Sequence, residues 1–124
     1  MQKQILSIVG VLVFCAALLG GLFYYNSGPG KLDGFAQCLK DKGATFFGAF
    51  WCPHCQNQKK LFGRSVAKLP YIECSTPDGK GQLPICIDQK IEGYPTWEFA
   101  DGSRLNGEVP LATLAEKTSC TLPE

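Results

Sequence analysis

The sequence predicts an α/β domain with a central sheet, carried behind one membrane-spanning helix. Three observations lead there. Between residues 32 and 118, segments with apolar residues at helical spacing interleave with segments that are continuously apolar or alternating, so helices and strands take turns along the chain. The run from Ile5 to Tyr25 has no charged residue and, as a helix, spans about 30 Å of hydrocarbon. Seven cysteines in 124 residues point to an oxidising compartment, because a single histidine, His54, leaves little with which to complete metal sites.

Residues 1–30 are therefore read as an anchor with a short linker, and residues 31–124 as one small folded domain. A domain of that size buries only about 60 to 65% of the surface its unfolded chain exposes, so cross-links matter to its stability. Twelve Lys and Arg against eleven Asp and Glu give a net charge of +1, with no basic stripe. That argues against a nucleic-acid partner.

Tyr24 and Tyr25 close the apolar run where an aromatic belt belongs, and Lys3 lies at its other end. The positive-inside rule then leaves the N-terminus in the cytoplasm and the domain outside, in a periplasm or a thylakoid lumen. A cleaved signal peptide is the alternative, but the run exceeds the usual 7 to 15 residues and no A-x-A-like site follows it. Cys15, in mid-span behind Phe14, reads as a small lipid-facing residue. Asn26 to Gly30 is a short linker of turn-forming residues.

Leu32 to Asp41 places Leu32, Phe35, Ala36 and Leu39 on one helical face, and Gly43 ends the helix. Thr45 to Trp51 is a nearly unbroken apolar run, as in a central strand covered on both faces. Gln56 to Lys68 reads as a helix with Leu61, Phe62, Val66 and Leu69 at helical intervals and a kink or break at Gly63. Pro70 to Cys74 is a second strand and Ser75 to Gly81 a polar loop. Gln82 to Gln89 is a short helix admitting Pro84 in its first turn. Thr96 to Ala100 alternates like a strand, Asp101-Gly102 marks a hairpin, and Leu105 to Val109 supplies the return strand. Pro110 to Thr118 is a terminal helix with Leu111, Leu114 and Ala115 inward. Trp97 and Phe99 are assigned to the core, and Lys59, Lys60 and Arg64 to a solvated helix face.

The chemistry sits in Trp51-Cys52-Pro53-His54-Cys55. Two cysteines two residues apart at the start of a helix can close a small disulfide, and the first faces unsatisfied amide groups that favour thiolate. In such motifs the thiol pKa can fall from about 8.5 to roughly 3.5 to 7. Cys52 is then the exposed nucleophile and Cys55, one turn on and more buried, the resolving thiol. Pro53 suits the first helical position, a protonated His54 would add positive charge beside Cys52, and Trp51 forms a flat wall. A purely structural disulfide or half a zinc site is the bland alternative, and the zinc reading lacks a second closely spaced pair.

Phe47-Gly48-Ala49-Phe50-Trp51-Cys52-Pro53-His54-Cys55, with Gly93-Tyr94-Pro95-Thr96 further on, resembles the thioredoxin superfamily over nearly all of residues 32 to 120. The resemblance implies a thioredoxin-like fold, a cis Pro95 against the active-site sulfurs, and a substrate-binding edge made by Tyr94, Pro95 and Thr96. Phe35-Ala36-Gln37-Cys38-Leu39, Gln56-Asn57-Gln58-Lys59, Leu69 to Cys74 and Trp97 extend the likeness to the thioredoxin-like domain associated with bacterial and plastid vitamin K epoxide reductase homologues. That likeness implies exchange with secreted protein thiols and electron transfer to a separate, quinone-linked membrane partner, with no cofactor of the domain's own. One departure stands out. Many thioredoxins carry a buried acid six residues before the first active-site cysteine, and Phe46 occupies that position here, leaving Glu73, Glu98 or water to serve the resolving thiol.

Cys74 and Cys86 lie twelve positions apart, and Cys38 and Cys120 fall in the first and last helices of the domain. Both pairs are read as structural disulfides, with a second redox pair feeding Cys52 and Cys55 as the alternative. The functional expectation is a membrane-tethered thiol-disulfide oxidoreductase working in the oxidising direction. A tethered reductase of the cytochrome-maturation type, a copper or zinc carrier using Cys52, His54 and Cys55, and a non-catalytic docking module are the competing readings.

Overall fold

A computed structural model describes residues 1–124. Its elements are α1 (Gln2–Asn26), α2 (Asp33–Asp41), β1 (Thr45–Gly48), α3 (Pro53–Lys60), a 3₁₀ segment (Gly63–Lys68), β2 (Tyr71–Glu73), α4 (Pro84–Asp88), β3 (Thr96–Glu98), β4 (Arg104–Asn106) and α5 (Leu111–Thr118). The four strands make one mixed sheet in the order β2-β1-β3-β4. β1 runs parallel to β2 and antiparallel to β3, and β3 pairs antiparallel with β4 through the turn at Asp101-Gly102. Gly102, at φ +79, takes the left-handed conformation that this turn requires.

β1 is continuously apolar because both its faces are covered. Successive residues of a strand point to opposite faces, and Phe46 and Phe47 belong to different clusters. Phe46 packs with Phe35, Ala36 and Leu39 of α2, Cys55 of α3, Trp97 of β3 and Leu114 of α5. Phe47 packs with Cys74, Cys86 and Ile91. The Phe46 ring stacks on Trp97 at 4.9 Å and meets Tyr71 edge-on at 5.1 Å. Complete burial of each such side chain contributes about 1.5 to 3 kcal/mol.

Two boundaries depart from the sequence-based expectation. β1 ends at Gly48 instead of continuing to Trp51, because the chain turns there: the Cys52 amide donates to the Ala49 carbonyl, and Phe50 and Trp51 swing outward, each 49% exposed. The helix expected over Gln56 to Lys68 starts at Pro53 and closes at Lys60. Gly63, at φ +52, opens a separate 3₁₀ segment, so Phe62 and Leu69 face the core while Leu61 and Val66 face out. Gln58, fully buried on α3, fastens that helix to the stretch before α5: its Nε2 donates to the Val109 carbonyl at 2.9 Å, and the Val109 amide donates to its Oε1 at 2.6 Å.

Disulfides join Cys38 to Cys120 and Cys74 to Cys86. The first ties α2 to the chain just beyond α5, and the second ties the end of β2 to α4. α1 is long and apolar enough to cross a membrane, and none of its residues is buried. The Arg64 guanidinium donates to the Tyr25 carbonyl at its C-terminal end.

Candidate active site

Cys52 caps α3 in an extended conformation, with Pro53 as the first helical residue. Proline fits there because its fixed φ suits a helix start and its missing N–H has no intrahelical partner to lose. Cys52 and Cys55 are both free thiols, and Cys52 is not the exposed sulfur expected from the sequence: tucked against the Tyr94 carbonyl, it is 5% exposed. Cys55, one turn along, is 1% exposed, and burial pushes its thiol up to about 12; a backbone hydrogen bond from Ala49 and the charge of Lys59 act the other way. This sulfur is held neutral across the physiological range.

The Tyr94–Pro95 bond is cis, and the Cys52 Sγ lies 3.7 Å from the Tyr94 carbonyl oxygen. Tyr94 therefore stands against the first thiol, while the Pro95 side chain is fully buried. Thr96 is buried as well: it is 2% exposed, pairs with Phe47 and Asn106 in the sheet, and its hydroxyl lies 2.8 Å from the Gly93 carbonyl oxygen and 2.9 Å from Asn106 Oδ1. It holds the loop in place from beneath.

The disulfide-closed excursion between Cys74 and Cys86 braces both walls of the site. Trp51 Nε1 donates to Ser75 Oγ at 2.9 Å, and Gln82 Nε2 donates to the Tyr94 hydroxyl and to the Ile91 carbonyl, each at 2.8 Å. The Trp51 and Tyr94 rings meet edge to face at 6.0 Å.

His54 projects into solvent, and its Nδ1 lies 2.7 Å from Glu108 Oε1, which also accepts from Asn57 Nδ2 at 3.1 Å. No three His, Cys, Asp or Glu side chains converge as a metal site would require. The hydrogen bond from His54, and then that from Asn57, hold the Glu108 carboxyl below its ordinary value. The folded-state value is the lower one, so this contribution to stability is in place above the ordinary carboxylate range and is lost as pH falls through the folded value. His54→Ala is expected to return the Glu108 titration, followed by carboxyl NMR, toward 4.5. A titration that does not move would contradict the pairing.

Phe46, standing where a thioredoxin acid would be, offers no proton acceptor. Glu98 is engaged elsewhere: it sits opposite Thr45 at the far end of β1 and accepts from Arg104 Nε at 2.6 Å. Glu73 lies opposite Gly48, and its carboxylate takes the Phe50 amide at 3.2 Å, the Ser75 amide at 2.9 Å and the Tyr71 hydroxyl at 2.8 Å. It fastens the turn that carries Trp51 and Cys52.

Lys59 is not part of a solvated face: its Nζ sits 3.5 Å from the centroid of the Tyr71 ring. Helical spacing from Cys55 was the available signal for it. Glu108, more than fifty residues from His54, left no such signal in the sequence.

A mixed sheet of this topology, a dithiol at a helix start and a cis proline beside it together define a thioredoxin-like domain, and the chain belongs to the thioredoxin superfamily. Over 94 residues, 72% of the chain, it is 50% identical to the thiol-disulfide oxidoreductase LTO1 of Arabidopsis thaliana. Over 86 residues, 60% of the chain, it is 34% identical to the thioredoxin domain-containing protein 5 homolog of Drosophila melanogaster. The matched region spans 24% and 20% of those two proteins. No family model matches the chain.

Proposed function

We propose that this chain is a thiol-disulfide oxidoreductase, tethered by α1, that exchanges disulfides with protein thiols through Cys52 and Cys55 and does so in the oxidising direction. The observation that carries the reading is the asymmetry of the pair. Both sulfurs are buried, but Cys52 caps the helix start beside the Tyr94 carbonyl, while Cys55 lies one turn further in with a thiol pushed up to about 12. In the oxidised form, a substrate thiolate attacks the Cys52 sulfur and forms a mixed disulfide, and Cys55 leaves with the electron pair and takes up a proton. A second substrate thiolate then attacks the substrate's own sulfur, and Cys52 leaves as thiolate. Because Cys55 is kept protonated, it returns slowly to the mixed disulfide, which leaves time for that second attack.

Trp51, Pro53 and His54 shape and tune the pair, and Tyr94 with Pro95 receives the substrate chain, with Thr96 beneath them. Cys38–Cys120 and Cys74–Cys86 act as structural bridges. The sequence resemblance to domains associated with vitamin K epoxide reductase homologues supports a quinone-linked membrane partner that reoxidises the pair. Lys3 before α1 and the cysteine-rich domain after it support a cytoplasmic N-terminus, with the domain in a periplasm or thylakoid lumen.

The test is the potential of the full chain in detergent micelles, equilibrated against glutathione. A value of about −120 to −180 mV is expected of an oxidant or isomerase, and one near −270 mV would turn the reading to a tethered reductase. Copper or zinc retained through purification, with no exchange activity, would favour a metal carrier instead.

A further inference from the structure

Cys55 must carry negative charge each time its sulfur attacks or leaves, yet it is buried at the 1% level against an apolar core that includes Phe46. We propose that Lys59, seated on the face of the Tyr71 ring, is the charge that stabilises the Cys55 thiolate, in a chain where Phe46 replaces the buried acid that would take the Cys55 proton. The inference rests on the thiol-exchange reading above.

The geometry begins on α3. Cys55 and Lys59 are four residues apart and so share one face of the helix, on adjacent turns. Across from that face, β2 presents Tyr71. The ring reaches so near Gly48 that an added Cβ there would meet Tyr71 Cε2 at 2.8 Å, Cys55 Sγ at 3.0 Å and the Tyr71 hydroxyl at 3.4 Å. The ring edge and the sulfur therefore crowd the same bare point of β1, which accounts for a glycine in an otherwise bulky strand. Lys59 Nζ lies over the same ring, 3.5 Å from its centroid. A lysine tail left to itself is mobile, and the cation–π contact fixes its ammonium over the ring whose edge crowds the same point of β1 as the sulfur.

The titratable groups facing Cys55 are few: Cys52 and Lys59 from α3, and Tyr71 and Glu73 from β2. β1, the turn after it and β3 bring Phe46, Gly48, Ala49 and Trp97 to this region, none of them titratable. Tyr71 stays neutral, its phenol pushed up by burial and by the hydrogen bond it gives to Glu73. The Glu73 carboxylate is turned toward the amides of Phe50 and Ser75. Cys52 opposes ionisation of Cys55 through a hydrogen bond and its charge, but only while it is a free thiol. Once Cys52 is tied into a mixed disulfide, that opposition ends. What then favours the thiolate is the Ala49 backbone and the Lys59 charge, against burial.

The step balances without a further reactant. The Cys55 proton passes to solvent, and the thiolate attacks Cys52 Sγ. The Cys52–Cys55 bond forms as the Cys52–substrate bond breaks, and the departing substrate sulfur keeps the electron pair. In the oxidising direction the same steps run backwards and Lys59 steadies Cys55 as the leaving group. Lys59 is thus a positioning residue in either direction.

The test uses the reduced full chain in detergent micelles, with Cys15→Ser to silence the membrane thiol, mixed with dithiobis(nitrobenzoate) in a stopped-flow instrument. The first nitrobenzoate thiolate is released when Cys52 attacks, and the second when Cys55 resolves the mixed disulfide. Lys59→Met is expected to slow the second release about three- to tenfold between about pH 6 and 9, since a rise of about one pKa unit cuts the thiolate tenfold while partly restoring its nucleophilicity. The first release should stay within about twofold, and Lys59→Arg should restore most of the second. In a Cys52→Ser background, thiolate absorbance of Cys55 should appear about one pH unit higher when Lys59 is replaced by Met. A second release unchanged in Lys59→Met, or both releases slowed equally, would overturn the assignment. Absence of any first release in the parent chain would instead overturn the thiol-exchange function on which it rests.

Discussion

Cys52→Ser should lower disulfide exchange by on the order of a thousandfold or more, while Cys55→Ser should leave a chain that attacks once and stays trapped as a mixed disulfide with its substrate. The two outcomes differ because the two sulfurs differ in place. Cys52 is the cap of α3, next to the Tyr94 carbonyl and beside the walls made by Trp51 and Tyr94. Cys55 points back toward Gly48 and Tyr71, where no substrate sulfur can follow. Gel-shift analysis after incubation with a peptide disulfide separates the variants: no adduct with Cys52→Ser, and a persistent one with Cys55→Ser. An adduct on Cys55 in the Cys52→Ser chain would reverse the assigned roles, and full activity in that chain would point to a docking module.

Removing the Cys38–Cys120 bridge should cost the domain about 3 to 4 kcal/mol and lower its melting temperature by roughly 15 °C or more. The bridge closes a sequence separation of 82 residues, and loop-closure entropy for such a span is worth about 4.5 kcal/mol before losses to residual structure in the unfolded chain. That is a large share of the stability of a small domain. It joins α2 to the chain after α5, and neither sulfur is hydrogen-bonded to a residue around the dithiol, so the double variant Cys38→Ala with Cys120→Ala should exchange disulfides normally at low temperature. The Cys74–Cys86 bridge closes only 12 residues and is worth about 3 kcal/mol. Its loss should also slow exchange, because the excursion it closes holds Trp51 through Ser75 and Tyr94 through Gln82. Thermal melts paired with exchange rates on the two double variants check the contrast.

Much of this architecture was legible wherever one short stretch of chain carries its own signal. The spacing of Phe35, Ala36 and Leu39 declared the buried face of α2, and Asp101-Gly102 declared the hairpin. The unbroken run at Phe46 and Phe47 declared a strand covered on both faces. The dithiol was legible because a cysteine pair and a proline need only one turn of helix to define their relation. Where apolar character outlasts a strand, the pattern misleads. Phe50 and Trp51 continue the run of β1 but face outward next to Cys52, because the chain turns at Gly48 and leaves the sheet. Leu61 and Val66 were misplaced for a related reason, since the break at Gly63 rotates the chain and helical spacing no longer counts across it.

The surroundings of the site were illegible because they join segments far apart in the chain. Gln58 with Val109 and His54 with Glu108 each bridge more than fifty residues. Lys59 meets Tyr71 only because α3 lies across β2. Charged and amide residues on a short helix look alike until the opposing element is known. Glu73 and Glu98 illustrate the same limit: both were candidates to serve Cys55, and only the register of the sheet shows that Glu98 sits at the wrong end of β1.

The account stands on Cys52 and Cys55 being the working redox pair, and a redox titration of the full chain in detergent micelles, with the opened thiols located by mass spectrometry, tests that most directly. The predicted result is that Cys52 and Cys55 open first and reclose reversibly while Cys38–Cys120 and Cys74–Cys86 remain bonded. If one of those bridges cycled first, or if the Cys52–Cys55 pair never opened and reclosed, the account would be contradicted.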